Sequence, residues 1–355
     1  MIRVLTDPKE PPPGHGARDW FFDNLKACLI TLVVVSHFML GFRTMERLYN
    51  VIYVFHMPLF VFVSGVFSRT VFRNGRFRYN RLMRLLVSYL GFVLADALLR
   101  FCFHPELGFA VPMIYIHDAQ WYLFSLLLWS LSVPLVKDVK PWIALLVSVG
   151  AALAAGMFQP IGAVFAMSRT IVLYPYFLAG LYVDADRLKT SLRKPWVVWT
   201  CLPAAAAVTV LILWQKDFFQ AQHALLYRES CYQFLPGLLG PVYRLLLGVM
   251  TVILSLGCML LVPRRKMWFS YLGERSLQIY ILHALVYKAL DGWGVLPFVR
   301  GLPPVQRILC LLFPLGLTWL LGQRIFSIPF DALKRIPFEK ALTRFPSGMD
   351  GDGPA

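Results

Sequence analysis

Long apolar runs recur along the whole chain, separated by short clusters of basic and turn-forming residues. A membrane-spanning helix needs about 20 mainly apolar residues. Ten segments are candidates: 20–42, 51–68, 82–101, 119–136, 141–158, 171–183, 196–214, 240–262, 271–290 and 306–327. The sixth is short, and the eighth and tenth carry prolines at their edges. The pattern predicts an all-α fold, a polytopic integral membrane protein with about ten transmembrane helices. Residues 215–239 read as a loop or an interfacial helix, and no internal repeat is evident. Residues 1–17 contain Pro8, Pro11, Pro12, Pro13, Gly14 and Gly16 and lack the apolar stretch of a signal peptide. The expected organisation is a disordered cytoplasmic tail over 1–17, a membrane domain over 18–336 and a cytoplasmic C-terminal tail over 337–355.

Composition supports this reading. Apolar residues make up 58% of the chain and charged residues 15%, against roughly 25% charged in soluble domains. Over most of its length such a chain is too apolar for disorder. The net charge of +16 does not point to nucleic acid, because the basic residues sit between apolar runs. With the N-terminus in the cytoplasm, 21 Lys and Arg fall in inside segments and 9 in outside ones. That asymmetry predicts both termini in the cytoplasm if the number of spans is even; the expected location is the cell (inner) membrane, with membrane lipids as the surroundings. The six cysteines, with no CxxC and no metal spacing, read as small apolar residues. A disulfide between Cys102 and Cys231 is the alternative for that pair.

Ionisable groups inside spans are costly and mark function by default. The first span, DWFFDNLKACLITLVVVSHFML, holds Asp23, Lys26 and His37. The step from Lys26 to His37 returns to within about 20° of the same helix face, and places His37 roughly 16 Å farther from the cytoplasm. The second span places His56 at a comparable depth, has Pro58 to free a backbone carbonyl, and has Ser64-Gly65 suited to close helix contact. In the ninth, Ser276, Tyr280, His283 and Tyr287 share one face. Each histidine has a plain alternative as a hydrogen-bonded packing residue, and Asp23 with Lys26 as an i,i+3 pair. Arg81 and Arg84, one turn apart, suit either an inner-interface anchor or, with Lys26, a phosphate-bearing ligand entering from the cytoplasm. Asp96 is spaced to pair with Arg100 as a structural contact.

Several of these motifs together resemble a known family. They are Asp23-Asn24-Leu25-Lys26 followed after ten residues by His37; FHMPLFVFVSG from Phe55; Arg81-x-x-Arg84; WYLFSLL from Trp121; YPYFLAG from Tyr174; and LGERSLQIYILH ending at His283. Over roughly 18–330, and in the same order, the chain is similar to the acyltransferase-3 family of integral membrane O-acyltransferases, including fucose 4-O-acetylase-like proteins. The resemblance implies transfer of an acyl group, acetyl above all, from cytoplasmic acyl-CoA to a hydroxyl of a cell-surface or lipid-linked carbohydrate. It implies His37 as the essential histidine, Lys26 as its paired basic residue, and Arg81 and Arg84 as the motif of the third helix. Some members carry a further SGNH esterase-like domain. There is no room for one after the tenth span, so the reaction is expected to finish in the membrane domain or to pass the acyl group to another protein.

O-acyl transfer from a thioester needs a base, donors for the tetrahedral oxyanion and cations for the CoA phosphates. His37 suits the base because imidazole titrates near neutrality. Asp23, His56, Tyr280 and His283 complete the expected catalytic set, although Asp23 is too far along the helix to orient the His37 ring. Lys26, Arg81 and Arg84 are the expected donor-binding residues; Arg169, Ser64 and Trp121 are the expected acceptor residues; no metal is expected. Two readings from another class stay open: a proton-coupled secondary transporter, and an acyl-group exporter without transferase chemistry.

Overall fold

The computed structural model describes residues 19–39, 45–73, 75–109, 116, 118–158, 164–215, 218–219, 232, 239–303, 305–306 and 310–342. The 1–17 tail, the chain beyond residue 342, Cys231 with its proposed disulfide, and nearly all of 215–239 lie outside the described residues. Among the described residues the longest helix overlapping each candidate segment is, in order, α1 (Trp20–Met39), α2 (Glu46–Ser68), α3 (Tyr79–Phe103), α4 (Gln120–Val136), α5 (Pro141–Ala155), α6 (Met167–Tyr182), α8 (Pro195–Trp214), α9 (Leu239–Leu261), α11 (Ser276–Gly292) and α13 (Leu312–Leu321). Between them lie α7 (Ala185–Ser191), α10 (Ser270–Glu274) and α12 (Val295–Gly301), with α14 (Ile328–Arg335) and α15 (Phe338–Leu342) following α13. A two-stranded antiparallel ribbon, β1 (Phe72–Arg73) and β2 (Arg76–Phe77), joins α2 to α3. Among the described residues five helices are long and apolar enough to cross a membrane: α1, α2, α3, α8 and α9. The others that match candidate segments are shorter, from 10 to 17 residues.

The sequence explains the ends of these elements. Proline at the first helical position opens α5 and α8, where its missing N–H has no intrahelical partner to lose. The Asp184 carboxylate accepts from the amides of Asp186 and Arg187 at 3.1 Å and caps α7. The ninth candidate segment is not one helix. It breaks at Arg275, between α10 and α11, where the Arg275 guanidinium donates to the Gly322 carbonyl at 2.6 Å.

Helices α1 and α2 are central, each 67% buried over its most apolar window, whereas α8 is only 11% buried and turns its apolar faces outward. The most extensive contact is between α2 and α6. A Cβ built on Gly180 would sit 1.9 Å from the Phe62 carbonyl oxygen, and one on Gly65 would sit 2.1 Å from the Phe177 carbonyl oxygen. The two backbones therefore touch, as small residues permit in apolar surroundings. Helix α10 presses on α1 in the same way, with the Gly273 Cβ position 1.8 Å from the Asp23 carbonyl oxygen. Next to that contact Asn24 is fully buried. Its amide donates to the carbonyls of Pro263 and Arg265, both at 2.8 Å, and its oxygen accepts from Ser270 at 2.6 Å. One side chain thus pins the 263–270 loop to the start of α1.

Replacing Gly180 by Ala should destabilise the protein by about 1–3 kcal/mol in thermal unfolding in detergent, because overpacking forces backbone shifts. Gly91→Ala in α3, where nothing lies within 4 Å, is the control and should be neutral or slightly stabilising. Equal stability of the two variants would overturn the backbone contact.

Candidate active site

Two cavities open along the same three helices, α3, α4 and α11. The one on the side that the charge pattern leads one to expect outside, the outer cavity, is about 790 Å³ and is lined by His37, Tyr53, Trp121, Arg169, Tyr287 and Lys288 among others. The inner one, about 670 Å³, is lined by Thr70, Arg78, Arg81, Arg84, Ser130 and Lys334 among others. Along α3 the inner cavity reaches Ser88 and the outer one begins at Leu99. About 16 Å of helix separates them.

At the outer cavity two histidines meet. His283 Nδ1 lies 2.9 Å from the Ile279 carbonyl, which can only accept, so Nδ1 carries the proton and Nε2 the lone pair. His283 Nε2 lies 3.1 Å from His37 Nδ1, which also lies 3.0 Å from the Val33 carbonyl. With two acceptors facing it, His37 Nδ1 is the protonated nitrogen and donates to both. The neutral tautomer of His37 is thereby fixed, and its basic lone pair is on Nε2. The order of the hydrogen bonds, not either ring alone, sets this state. Helix α11 turns His283 onto its buried face, whereas His37 of α1 is only partly buried and lines the cavity.

Tyr280 lies behind the pair, its ring 5.7 Å from His283 and 5.1 Å from Tyr122. Its hydroxyl donates to the Ala119 carbonyl. The Ser64 hydroxyl donates to the Phe60 carbonyl at 2.9 Å and accepts from the Tyr122 hydroxyl at 2.6 Å. Arg169, 7% exposed, stacks over Trp121 with its guanidinium carbon 5.2 Å from the ring centre. His56 is buried, gives its Nδ1 proton to the Ile52 carbonyl at 2.8 Å and meets Tyr53 edge-on at 5.2 Å. It stands behind Tyr53 rather than on the cavity wall.

At the inner end Arg81 donates to the Phe67 carbonyl at 2.6 Å and to the Thr70 hydroxyl at 3.1 Å. Arg84 donates to the Lys334 carbonyl at the end of α14. Lys26 is not among the residues lining this cavity. It pairs with Asp23 at 2.9 Å and sits over the Phe67 ring at 4.8 Å. The structure therefore joins His37, His283, Tyr280, Trp121 and Arg169 at one end and Arg81 and Arg84 at the other. It sets Asp23, Lys26, His56 and Ser64 apart from both cavity walls.

Sequence reasoning missed a charged network on the outer wall. Asp96, 1% exposed, binds Lys288, which also pairs with Asp118 at 2.6 Å; Arg100 is farther from Asp96, at 3.8 Å. Asp96 was expected to answer Arg100, but its closer partner is on another helix. The i,i+4 spacing within α3 carried a signal and the α3–α11 packing did not. Arg78 and Lys334, which join Arg81 and Arg84 around the inner cavity, were assigned only to cytoplasmic loops. Among the described residues no group of three His, Cys, Asp or Glu is placed to hold a metal ion.

The profile of a family described as an acyltransferase domain matches residues 19–323. The chain belongs to this acyltransferase-3 family. Together with the long apolar helices, this makes it a multi-pass membrane acyltransferase. It is similar to the nodulation protein NolL of Sinorhizobium fredii (strain NBRC 101917 / NGR234), 24% identical over 302 residues, which cover 78% of this chain and 80% of that protein. The nodulation protein NolL of Mesorhizobium japonicum (strain LMG 29417 / CECT 9101 / MAFF 303099) is 35% identical over 89 residues, covering 22% of this chain and 24% of that protein. No solved structure matches the chain.

In this acyltransferase Lys288→Met should cost about 3 kcal/mol in unfolding free energy, because it leaves the buried Asp96 carboxylate without its ammonium. The double variant Lys288→Met with Asp96→Leu should recover most of that loss. A double variant no more stable than the single one would sink the pairing.

Proposed function

We propose that the protein transfers an acetyl group from cytoplasmic acetyl-CoA to a hydroxyl of a carbohydrate on the outer side of the cell membrane. Both termini face the cytoplasm in this reading. The observation that carries it is the pairing of a basic inner cavity with an outer cavity holding a tautomer-fixed histidine, along the same three helices.

Arg78, Arg81, Arg84 and Lys334 hold the CoA phosphates, since guanidinium groups match phosphate oxygens in geometry as well as charge. The pantetheine arm follows the α3/α4/α11 seam past Tyr122 and brings the thioester to His37. His37 Nε2 takes the proton of the acceptor hydroxyl as its oxygen attacks the thioester carbonyl. Arg169, on the same wall, stabilises the tetrahedral oxyanion. The carbon–sulfur bond then breaks and the carbon–oxygen bond of the ester remains. The thiolate of CoA recovers a proton from the His37 imidazolium. His283 Nε2 accepts the hydrogen bond from His37 Nδ1–H throughout, which keeps His37 Nε2 as the basic nitrogen.

Inverted membrane vesicles supplied with acetyl-labelled acetyl-CoA test this directly. Label should enter lipid-linked or polymeric glycan with the wild type. His37→Gln should lower the rate by about 10²–10⁴-fold and leave acetyl-CoA binding intact. Arg84→Gln should weaken acetyl-CoA binding by about tenfold, the loss expected for one charge-assisted contact. Full glycan acetylation by His37→Gln would remove the base assignment. Transport of an acyl group without any glycan ester would replace the transferase reading with export.

A further inference from the structure

We propose that Tyr287 is a further catalytic residue of the transfer: its hydroxyl, polarised by Arg300, donates a hydrogen bond to the oxyanion that forms from the thioester carbonyl. This rests on the acyl-transfer reading above and adds a second donor beside Arg169. Three observations carry it.

The first is placement. Tyr287 follows His283 by one turn on the same face of α11, and it lines the cavity that His37 lines. Its ring centre is 6.3 Å from that of His37. A base and an oxyanion donor each stand about 3 Å from the reacting atoms, so two groups at this spacing serve one centre. The second is the way the ring is held. Phe38 meets it edge-on at 5.5 Å and is itself backed by Phe313 at 5.4 Å. Arg300 of α12 donates to the hydroxyl oxygen at 3.2 Å. The phenol is thus braced from α1 and from α12, with a cation at its oxygen.

The third is what the hydroxyl has left to give. A guanidinium only donates, so the Tyr287 oxygen accepts from Arg300 and its own O–H remains a donor. Tyr280 and Tyr122, the tyrosines behind the histidine pair, spend theirs on the Ala119 carbonyl and the Ser64 hydroxyl. Among the described residues no acceptor takes the O–H of Tyr287. A hydrogen bond received at the oxygen strengthens the one that the same hydroxyl gives. The Arg300 charge also favours an anion at the far end of that bond.

In the step itself the acceptor oxygen bonds to the thioester carbonyl carbon while His37 Nε2 takes its proton. The electron pair of the carbonyl π bond moves onto the carbonyl oxygen, where Tyr287 donates a hydrogen bond and keeps its proton. When that pair returns, the carbon–sulfur bond breaks and CoA leaves as the thiolate, which the His37 imidazolium protonates. Tyr287 therefore acts on the transition state and hardly on bound substrates.

The test uses detergent-solubilised enzyme, acetyl-CoA, and the glycan fraction that wild-type vesicles label, prepared from membranes lacking the enzyme. Tyr287→Phe keeps the ring and removes the hydroxyl. It should lower kcat by about 10²–10³-fold, the loss of one oxyanion donor, with KM for acetyl-CoA and for glycan within about twofold of wild type. Arg300→Met should lower kcat by about tenfold, because it acts only through the hydroxyl it polarises. The double variant should then be no slower than Tyr287→Phe alone, within about twofold. An unchanged kcat in Tyr287→Phe overturns the proposal. So does a rise in either KM without a fall in kcat, which makes the hydroxyl a binding group, or loss of folding, which makes it a packing group. Losses that multiply in the double variant overturn it too, since Arg300 then acts apart from Tyr287. If wild-type vesicles label no glycan, the transfer reading itself fails and this proposal falls with it; a failure confined to the Tyr287 and Arg300 variants leaves transfer standing.

Discussion

The direct backbone contact of α2 with α6 at Gly65 and Gly180 sets the frame in which the rest of the site is built. Helices in an apolar solvent gain little from burying apolar side chains against each other, so close backbone approach and interhelical hydrogen bonds take over. With α2 and α6 locked at one end, their other ends present Tyr53 and Arg169 to the same cavity. The contact of Gly273 with α1 acts in parallel on the other side, seating α10 and fixing where α11 starts. From that start α11 delivers Tyr280, His283, Tyr287 and Lys288 in succession. The histidine pair is thus a consequence of two backbone contacts, each of which only glycine allows.

Polar groups inside this fold are satisfied locally before they are satisfied across helices. Ser36, Ser64, Ser68, Thr318 and all three of His37, His56 and His283 send a donor to a carbonyl three or four residues earlier. In a low-dielectric interior an unmatched donor is expensive, and the helix's own carbonyls are the nearest acceptors. For a histidine this has a chemical consequence. Giving Nδ1–H to the backbone fixes the tautomer and reserves Nε2 for other work. At His283 Nε2 receives His37, and His37 in turn lines the outer cavity. The same rule holds at His56, whose Nδ1–H goes to the Ile52 carbonyl and which stands behind Tyr53.

The charged groups follow a different rule. Asp23 and Lys26 neutralise each other within one turn, whereas Asp96, Lys288 and Asp118 find each other across helices. At the Arg81–Arg84 end, the carbonyl of Lys334 at the close of α14 accepts from Arg84, a cation placed where a helix terminus favours one. Asn80 accepts from the amide of Glu339 nearby. The segment after α13 is therefore part of the inner cavity wall and not a trailing appendage. The expectation of a cytoplasmic tail from residue 337 onward treats as tail a stretch whose start packs on α3.

Apolar run length and the asymmetry of basic residues are local properties, so the sequence by itself determined the helical membrane class and the approximate places of the helices. Motif spacing also singled out His37, His283, Tyr280, Arg81, Arg84, Trp121 and Arg169, because each stands out as polar or aromatic within an apolar run. Helix lengths were less legible. Five helices reach the length and apolarity for a span, and the ninth candidate breaks at Arg275, where a guanidinium bond to the distant Gly322 carbonyl competes with helix continuity. Partnership within one helix was legible, since Asp23 and Lys26 form the i,i+3 pair that their spacing offers. Partnership across helices was not: that Asp96 meets Lys288 as well as Arg100 depended on which helix lay alongside. Tertiary structure alone decided that, because a charge in an apolar interior takes the nearest opposite charge in space, and distance along the chain does not measure that separation.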